Sequence, residues 1–280
     1  MPGTLYVVAT PIGNLEDVTL RALRILREVS VIAAEDTRRT ARLLQHYSIS
    51  TPTTSLHKHN EGLRAPALLE RLAAGESVAL VSDAGTPVVS DPGADLVASA
   101  HAAGIRVEPI PGPSAVLAAL SASGLPAEHF LFLGFPPVKA KDRKLWFVSL
   151  AEQDVTTIVY EAPHRIRQTL SDLLESLGDH RIAVGRELTK AHENLAVCTI
   201  SKHLRLQSEP RGEYTLVIPP RQVEEFGRLP YSNETLRKEF DDLIDGGANP
   251  RGAVRTLAKR YALPSRDVYS VVHQIRQDSG

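Results

Sequence analysis

The sequence predicts an α/β fold, and three observations carry that expectation. Short runs rich in Val, Ile and Leu recur through the first 220 residues, at 5–9, 30–34, 77–81, 130–133, 156–160 and 181–184. Such runs suit strands covered on both faces. Helical periodicity separates them: Ile166, Leu170, Leu173, Leu174 and Leu177 fall on one side of a helix. Polar loops rich in Gly and Pro then follow several of the runs, where open α/β sheets bind ligands.

Composition bounds the class. The chain has 280 residues, 42% of them apolar and 23% charged, which is ordinary for a globular protein and too long for one small core. Its net charge of −1 excludes a strongly basic nucleic-acid binder as a description of the whole chain. Cys198 is the sole cysteine, so there is no intramolecular disulfide and no cysteine cluster for zinc; no metal is expected. The start, Met1-Pro2-Gly3-Thr4, lacks the pattern of a secretory signal, and no window reaches the roughly 18 apolar residues of a membrane span. A cytoplasmic protein without membrane contact is the expectation.

Texture divides the chain into an N-terminal α/β lobe at 1–115, a second at 116–228 and a helical appendage at 229–280. The first boundary lies in the segment Ile110-Pro111-Gly112-Pro113-Ser114, and 191–219 reads as strand-like up to Pro219-Pro220. In the appendage, Leu236, Phe240, Leu243 and Ile244 mark one helix, ended by Gly246-Gly247. Asn249-Pro250 starts a second, with Ala253, Val254, Leu257, Ala258 and Tyr261 as its buried side. Ser265 starts a third, carrying Val268, Val271, Val272 and Ile275, in a helix-turn-helix-like arrangement. Between Asn249 and Gln277, Arg251, Arg255, Lys259, Arg260, Arg266 and Arg276 face only Asp267. A basic appendage on an acidic body fits phosphate contact, although a solvated helix face or a dimer contact explains the same charges.

The loops hold the candidate chemistry. Thr10-Pro11-Ile12-Gly13-Asn14-Leu15 makes a tight turn after the first run, without a dinucleotide fingerprint. Ser82-Asp83-Ala84-Gly85-Thr86-Pro87 places a carboxylate and small residues after another run, and Asp91 reads as the cap of a helix starting at Pro92. Glu35-Asp36-Thr37-Arg38-Arg39, Tyr160-Glu161-Ala162-Pro163-His164-Arg165 and Glu187-Leu188-Thr189-Lys190 join runs to helices or turns, where caps and salt bridges compete with ligand roles.

Taken together, in this order, and joined by Arg211-Gly212-Glu213-Tyr214 and Pro-Arg-x-Ala-Val at 250–254, these segments resemble the ribosomal RNA small subunit methyltransferase I branch of the tetrapyrrole-methylase superfamily. The resemblance spans nearly the whole chain. It implies a two-lobed methyltransferase, usually dimeric, that binds S-adenosylmethionine between its lobes. The reaction it implies is 2′-O-methylation of a cytidine ribose in the decoding region of 16S rRNA, with the 30S subunit as the expected setting. The implied cofactor residues are Pro11, Gly13, Asp83, Ala84, Gly85, Ser90, Pro111, Gly112, Ser114, Phe132 and Gly134, with Leu188, Gly212, Glu213 and Tyr214 from the second lobe.

Methyl transfer needs an in-line acceptor more than covalent help, and a ribose hydroxyl also needs its proton accepted. Asp36, Glu187, Lys190 and His164 are the candidate bases, with Lys190 and Glu187 preferred. Arg38, Arg39, Arg165, Arg251, Arg255, Lys259 and Arg260 suit phosphate contact. Two other readings compete: a related methyltransferase acting on a tetrapyrrole or a protein side chain, and a metabolite-sensing helix-turn-helix regulator.

Overall fold

A computed structural model describes residues 1–206, 210–220, 232–261, 263 and 265–273, with the side chains of Lys259 and Asp267 outside that description. The chain divides into two compact units, Met1–Pro220 and Arg221–Gly280.

The first unit opens with β1 (Thr4–Val8), α1 (Leu20–Glu28), β2 (Val31–Ala34), α2 (Thr37–His46), β3 (Thr53–Ser55), α3 (Glu61–Ala73), β4 (Val78–Val81), α4 (Ala94–Ala102) and β5 (Arg106–Ile110). Its strands form one parallel sheet in the order β3-β2-β4-β1-β5. All residues of β2 and β4 are buried, as continuous apolar runs demand. Alternate residues serve opposite faces. Ile32, Ala34, Ala79 and Val81 join Leu23 and Leu26 of α1, whereas Val31, Ala33, Val78 and Leu80 join Leu68 and Leu72 of α3 and Leu96 of α4. β3 and β5 carry no apolar run and so went unforeseen. Pro109 is tolerated in β5 because that strand is an edge.

The connection from β1 crosses over β4 to reach β2, and the connection from β4 crosses over β1 to reach β5. The two central strands therefore send their chains in opposite directions, leaving a crevice at their carboxyl ends.

The second sheet follows α5 (Ala115–Ser123). It comprises β6 (Phe130–Phe132), α6 (Ala140–Ala151), β7 (Thr156–Glu161), α7 (Ile166–Leu177), β8 (Arg181–Arg186), β9 (Asn194–Thr199), α8 (Ile200–Leu206) and β10 (Tyr214–Ile218), with strand order β6-β7-β10-β8-β9. Only β6 and β7 run parallel; the other pairs are antiparallel. The strand-like stretch at 191–219 resolves into β9, the helix α8 and β10. Val116, Ala119 and Leu120 of α5 pack on Ile158, Ala183 and Val217, while α7 covers the other face through Ile166, Leu170 and Leu173.

In the second unit, α9 (Asn233–Asp245), α10 (Pro250–Arg260) and α11 (Ser265–His273) enclose Leu236, Phe240, Ala253, Val254, Leu257, Tyr261 and Val268. Asn249 Oδ1 accepts the Gly252 N–H at 2.7 Å, the expected cap ahead of Pro250. Ile275 and Arg276 lie outside the described residues. Among the described residues no helix is long and apolar enough to cross a membrane.

The start of α4 corrects one expectation. The helix begins at Ala94, and its N-cap Gly93 has φ 115°, a conformation in which a Cβ would lie 2.5 Å from Leu80 Cδ2. The cap comes from α3 rather than from Asp91: the buried Glu61 carboxylate accepts the N–H groups of Gly93 (3.2 Å), Asp95 (3.0 Å) and Leu96 (3.1 Å). Replacing Glu61 by Ala strands these donors, and we expect a loss of about 2 kcal/mol. Urea unfolding should place Glu61→Gln, which keeps one acceptor oxygen, between wild type and Glu61→Ala.

Candidate active site

Backbone hydrogen bonds organise the crevice. Thr10 and Gly85, just beyond β1 and β4, exchange N–H···O bonds of 2.9 Å in both directions. Thr10 Oγ1 donates to the Ser82 carbonyl at 3.3 Å, and Thr86 Oγ1 to the Pro113 carbonyl at 3.2 Å. Gly85 has φ 81°. The loop after it holds two non-glycine residues at positive φ, Val88 at 75° and Ser90 at 67°. Such conformations cost roughly 1–3 kcal/mol each and cluster where geometry serves a site.

One wall is acidic. Asp83 Oδ1 accepts the Asp36 N–H at 2.9 Å, and its Oδ2 meets Arg39 Nη1 at 3.3 Å. The Asp83 N–H donates to Glu35 Oε2 at 3.3 Å. Burial pushes the Glu35 carboxyl upward against the bond from Asp83. Asp91, released from any capping duty, faces the same wall. Burial raises its carboxyl to about 6, opposed by the Ser82 hydroxyl and reinforced by Glu35 and Asp83. Asp36 differs: its carboxylate caps α2 through Arg38 N (2.9 Å) and pairs with Arg38 Nη2 (2.8 Å), which holds it well below the usual carboxylate range.

The opposite wall comes from the turn after β8. Glu187 and Thr189 sit at positive φ, 51° and 68°. Lys190 Nζ donates to Glu187 Oε1 at 2.8 Å and to Glu213 Oε2 at 2.9 Å. Burial pulls the Lys190 ammonium downward, but these bonds outweigh it and its pKa stands above the ordinary value. Burial likewise raises Glu187, and the bonds from Lys190 and the Glu213 N–H reverse the shift. The two walls touch: Asn14 N donates to Thr189 Oγ1 at 3.1 Å, and a Cβ on Gly13 would lie 2.3 Å from Lys190 Cγ. Gly212, at φ 78°, is needed for the same reason against Glu187.

Two adjoining clefts result. The first, about 440 Å³, is lined by Asp83, Ala84, Gly85, Ser90, Ser114, Glu187, Leu188, Lys190, Glu213 and Tyr214 among the expected residues. It adds Ile12, Glu35, Thr86, Asp91, Phe135 and Tyr160. Tyr160 reaches toward the Val116 N–H; burial, reinforced by Asp91, pushes its phenol up to about 12. The second cleft, about 420 Å³, contains Pro11 and Gly13 together with Leu15, Arg42 and Leu43. Ile12, Arg39, Asp83, Ala84, Lys190 and Glu213 border both.

Other expected residues act from outside these linings. Gly112 lets its loop approach Ala9, to which a Cβ would come within 2.9 Å, and Pro111 precedes it on an exposed turn. Gly134 at φ 65° lies against Ser90 Oγ, and the Phe132 ring packs on Tyr160 at 4.9 Å. Asp36 is outside both linings.

The arginines divide as well. Arg38 is largely exposed on Asp36, and Arg251 and Arg255 are exposed. Arg260 pairs with Glu239 at 2.7 Å, and Lys259 falls outside the described side chains. Arg165, expected to suit phosphate contact, is engaged by its own surroundings. It donates to the carbonyls of Pro136 (2.6 Å) and Pro137 (3.0 Å) and lies 3.6 Å from the buried Glu161, fixing the loop that presents Phe135. His164 is not among the lining residues. Among the described residues no group of His, Cys, Asp and Glu is arranged to hold a metal ion.

The Asp91 environment makes a pH prediction. Its folded-state carboxyl holds a proton to higher pH than in the unfolded chain, so ionisation penalises the folded state above about pH 6, and the penalty fades toward pH 4. Asp91→Asn should therefore exceed wild type in stability at pH 7.5 and converge with it near pH 4, as read by urea unfolding across pH.

Comparison with known proteins adds three similarities. The model of the tetrapyrrole (corrin/porphyrin) methylases matches residues 4–203. A protein of Xylella fastidiosa named ribosomal RNA small subunit methyltransferase I is 51% identical over 274 residues, covering 96% of this chain and 98% of its own. A Synechocystis protein of the same name is 47% identical over 279 residues, covering 99% of each chain. The crystal structure of uroporphyrin-III-C-methyltransferase from Thermus thermophilus superposes with a TM-score of 0.56 at 21% identity, over 82% of this chain and all of that one.

Proposed function

The chain belongs to the tetrapyrrole methylase family, in its ribosomal RNA small subunit methyltransferase I branch, and from that premise we propose that it transfers a methyl group from S-adenosylmethionine to 16S rRNA. The acceptor is the 2′-oxygen of a cytidine ribose in the decoding region, cytidine 1402. The single observation that carries this reading is the convergence on one cleft of loops that lie as far apart in sequence as Asp83 and Tyr214.

The first cleft fits the methyl donor. Glu35, Asp83 and Asp91 form a carboxylate wall in which burial pushes Glu35 and Asp91 upward, so it favours a cationic guest. Ile12, Val89, Phe135 and Leu188 offer apolar surface for a planar base, and the volume suits a small cofactor. Bound there, the sulfonium supplies an electrophilic methyl group. The residues of the chain then have two tasks, to align the acceptor oxygen and to take its proton. Lys190, which borders both clefts, and its partner Glu187 on the wall of the first take the proton-handling role. Arg39, which borders both clefts, and the exposed Arg38 contact phosphates, as do the exposed Arg251 and Arg255 of the helical unit. The substrate is the assembled 30S subunit, and the active form is a homodimer working in the cytoplasm.

Purified protein, labelled S-adenosylmethionine and undermethylated 30S subunits test this reading, with the product mapped by ribose-methylation-sensitive primer extension. We expect label on one decoding-region cytidine; labelled cofactor bound without transfer to RNA would move a tetrapyrrole or protein acceptor to first place. Lys190→Ala should lower turnover about 100-fold while cofactor affinity stays within threefold. Because its partners hold Lys190 charged, a base role makes wild-type turnover rise with pH from neutral into the alkaline range. The variant should lose that slope; a flat wild-type profile would assign Lys190 to orientation instead.

A further inference from the structure

We infer that the second cleft is the acceptor-nucleotide pocket, entered by one nucleotide turned out of a single-stranded RNA segment, and that Arg42 holds its phosphate. The inference rests on the methyl-transfer reading and adds to it the place, and a recognition residue, for the acceptor.

Charge separates the two clefts. Among the described residues, Glu35, Asp91, Glu161 and Glu187 line the first alone, whereas the only charged residue lining the second alone is Arg42. Their common border carries two residues of each sign, Arg39 and Lys190 against Asp83 and Glu213. A cationic donor and an anionic acceptor are thus drawn to adjoining spaces by opposite surfaces. They meet at Lys190, the group placed to handle the acceptor proton.

Shape agrees with charge. The second cleft holds about 420 Å³, within the range of pockets for small ligands. Pro11, Leu15 and Leu43 give it apolar walls against which a base can lie, and Thr10 and Thr40 add hydroxyls. Arg39 and Arg42 stand three residues apart on α2, one helical step, so both guanidinium groups reach the same side. Arg42 is exposed, and Arg39 is only partly engaged by Asp83, at 3.3 Å. Enzymes that modify nucleotides commonly take the target out of its stack, and unstacked single strands expose the groups needed for recognition. On this assignment Pro11 and Gly13 face the acceptor, and their loop is narrow because Lys190 packs on it.

The test compares wild type, Arg42→Ala and Arg42→Lys in the full-length protein. It measures KM for undermethylated 30S subunits, subunit binding across salt concentrations, and S-adenosylmethionine affinity by calorimetry. For Arg42→Ala we expect KM to rise about tenfold and the slope of log affinity against log salt to fall by about 0.7, the signature of one lost phosphate contact. Cofactor affinity should stay within twofold, and Arg42→Lys should restore the salt slope. Leu15→Trp, which fills the cleft from its apolar side, should abolish transfer while cofactor affinity is retained. Unchanged KM and salt slope in Arg42→Ala, or full transfer by Leu15→Trp, would overturn the pocket assignment while wild-type labelling of RNA left the enzyme reading standing. Failure of the wild-type protein to label any RNA would instead sink the reading on which the pocket rests.

Discussion

The reciprocal bonds between Thr10 and Gly85 set the geometry of the whole crevice. They extend the pairing of β1 and β4 past the strand ends and lock the two loops that leave the topological switch point. With that pair fixed, Ile12 and Gly13 are carried toward the turn at 187–190, and Asp83 is held beside Glu35 and Arg39. Both clefts share Asp83 and Ala84, which immediately precede the locked glycine.

Glycine and strain serve the same end from both sheets. Gly13 and Gly212 are small because Lys190 and Glu187 occupy the space a side chain would need. Val88, Ser90, Glu187 and Thr189 hold left-handed backbone on the two facing loops. The packed sheets beneath, built on buried strands such as β4 and β10, supply the rigidity that maintains these conformations.

Electrostatics gives the site its direction. Carboxylates collect on the first sheet's wall, where burial leaves Asp91 near 6 and Glu35 shifted upward. Across the gap, Lys190 is shared by Glu187 and Glu213 and remains charged. On the proposed reading, cationic donor and anionic RNA meet at a border balanced in charge. Arg165 shows how an arginine close to such a site can serve another purpose: its Nη2 donates to the Pro136 and Pro137 carbonyls, which helps to place Phe135.

Much of the fold was legible in the sequence because continuous apolar runs and helical periodicity are local signals. The runs at 30–34 and 77–81 became fully buried strands, and the Asn249-Pro250 start of α10 could be read from two residues. The loops were recognisable by composition and order, and the first cleft is lined by Asp83, Gly85, Leu188 and Tyr214 among the residues that the resemblance implies. Tertiary structure alone decided the rest. β3 and β5 are strands through pairing with neighbours rather than through their own pattern, and α4 is capped by Glu61 from another helix. Asp91 is thereby left to the cleft, and the placement of Pro11 and Gly13 in a second cleft depends on a contact with Lys190 about 180 residues away. Local propensity and loop chemistry are written along the chain, whereas burial, charge balance and the partner of each polar group exist only once distant segments have met.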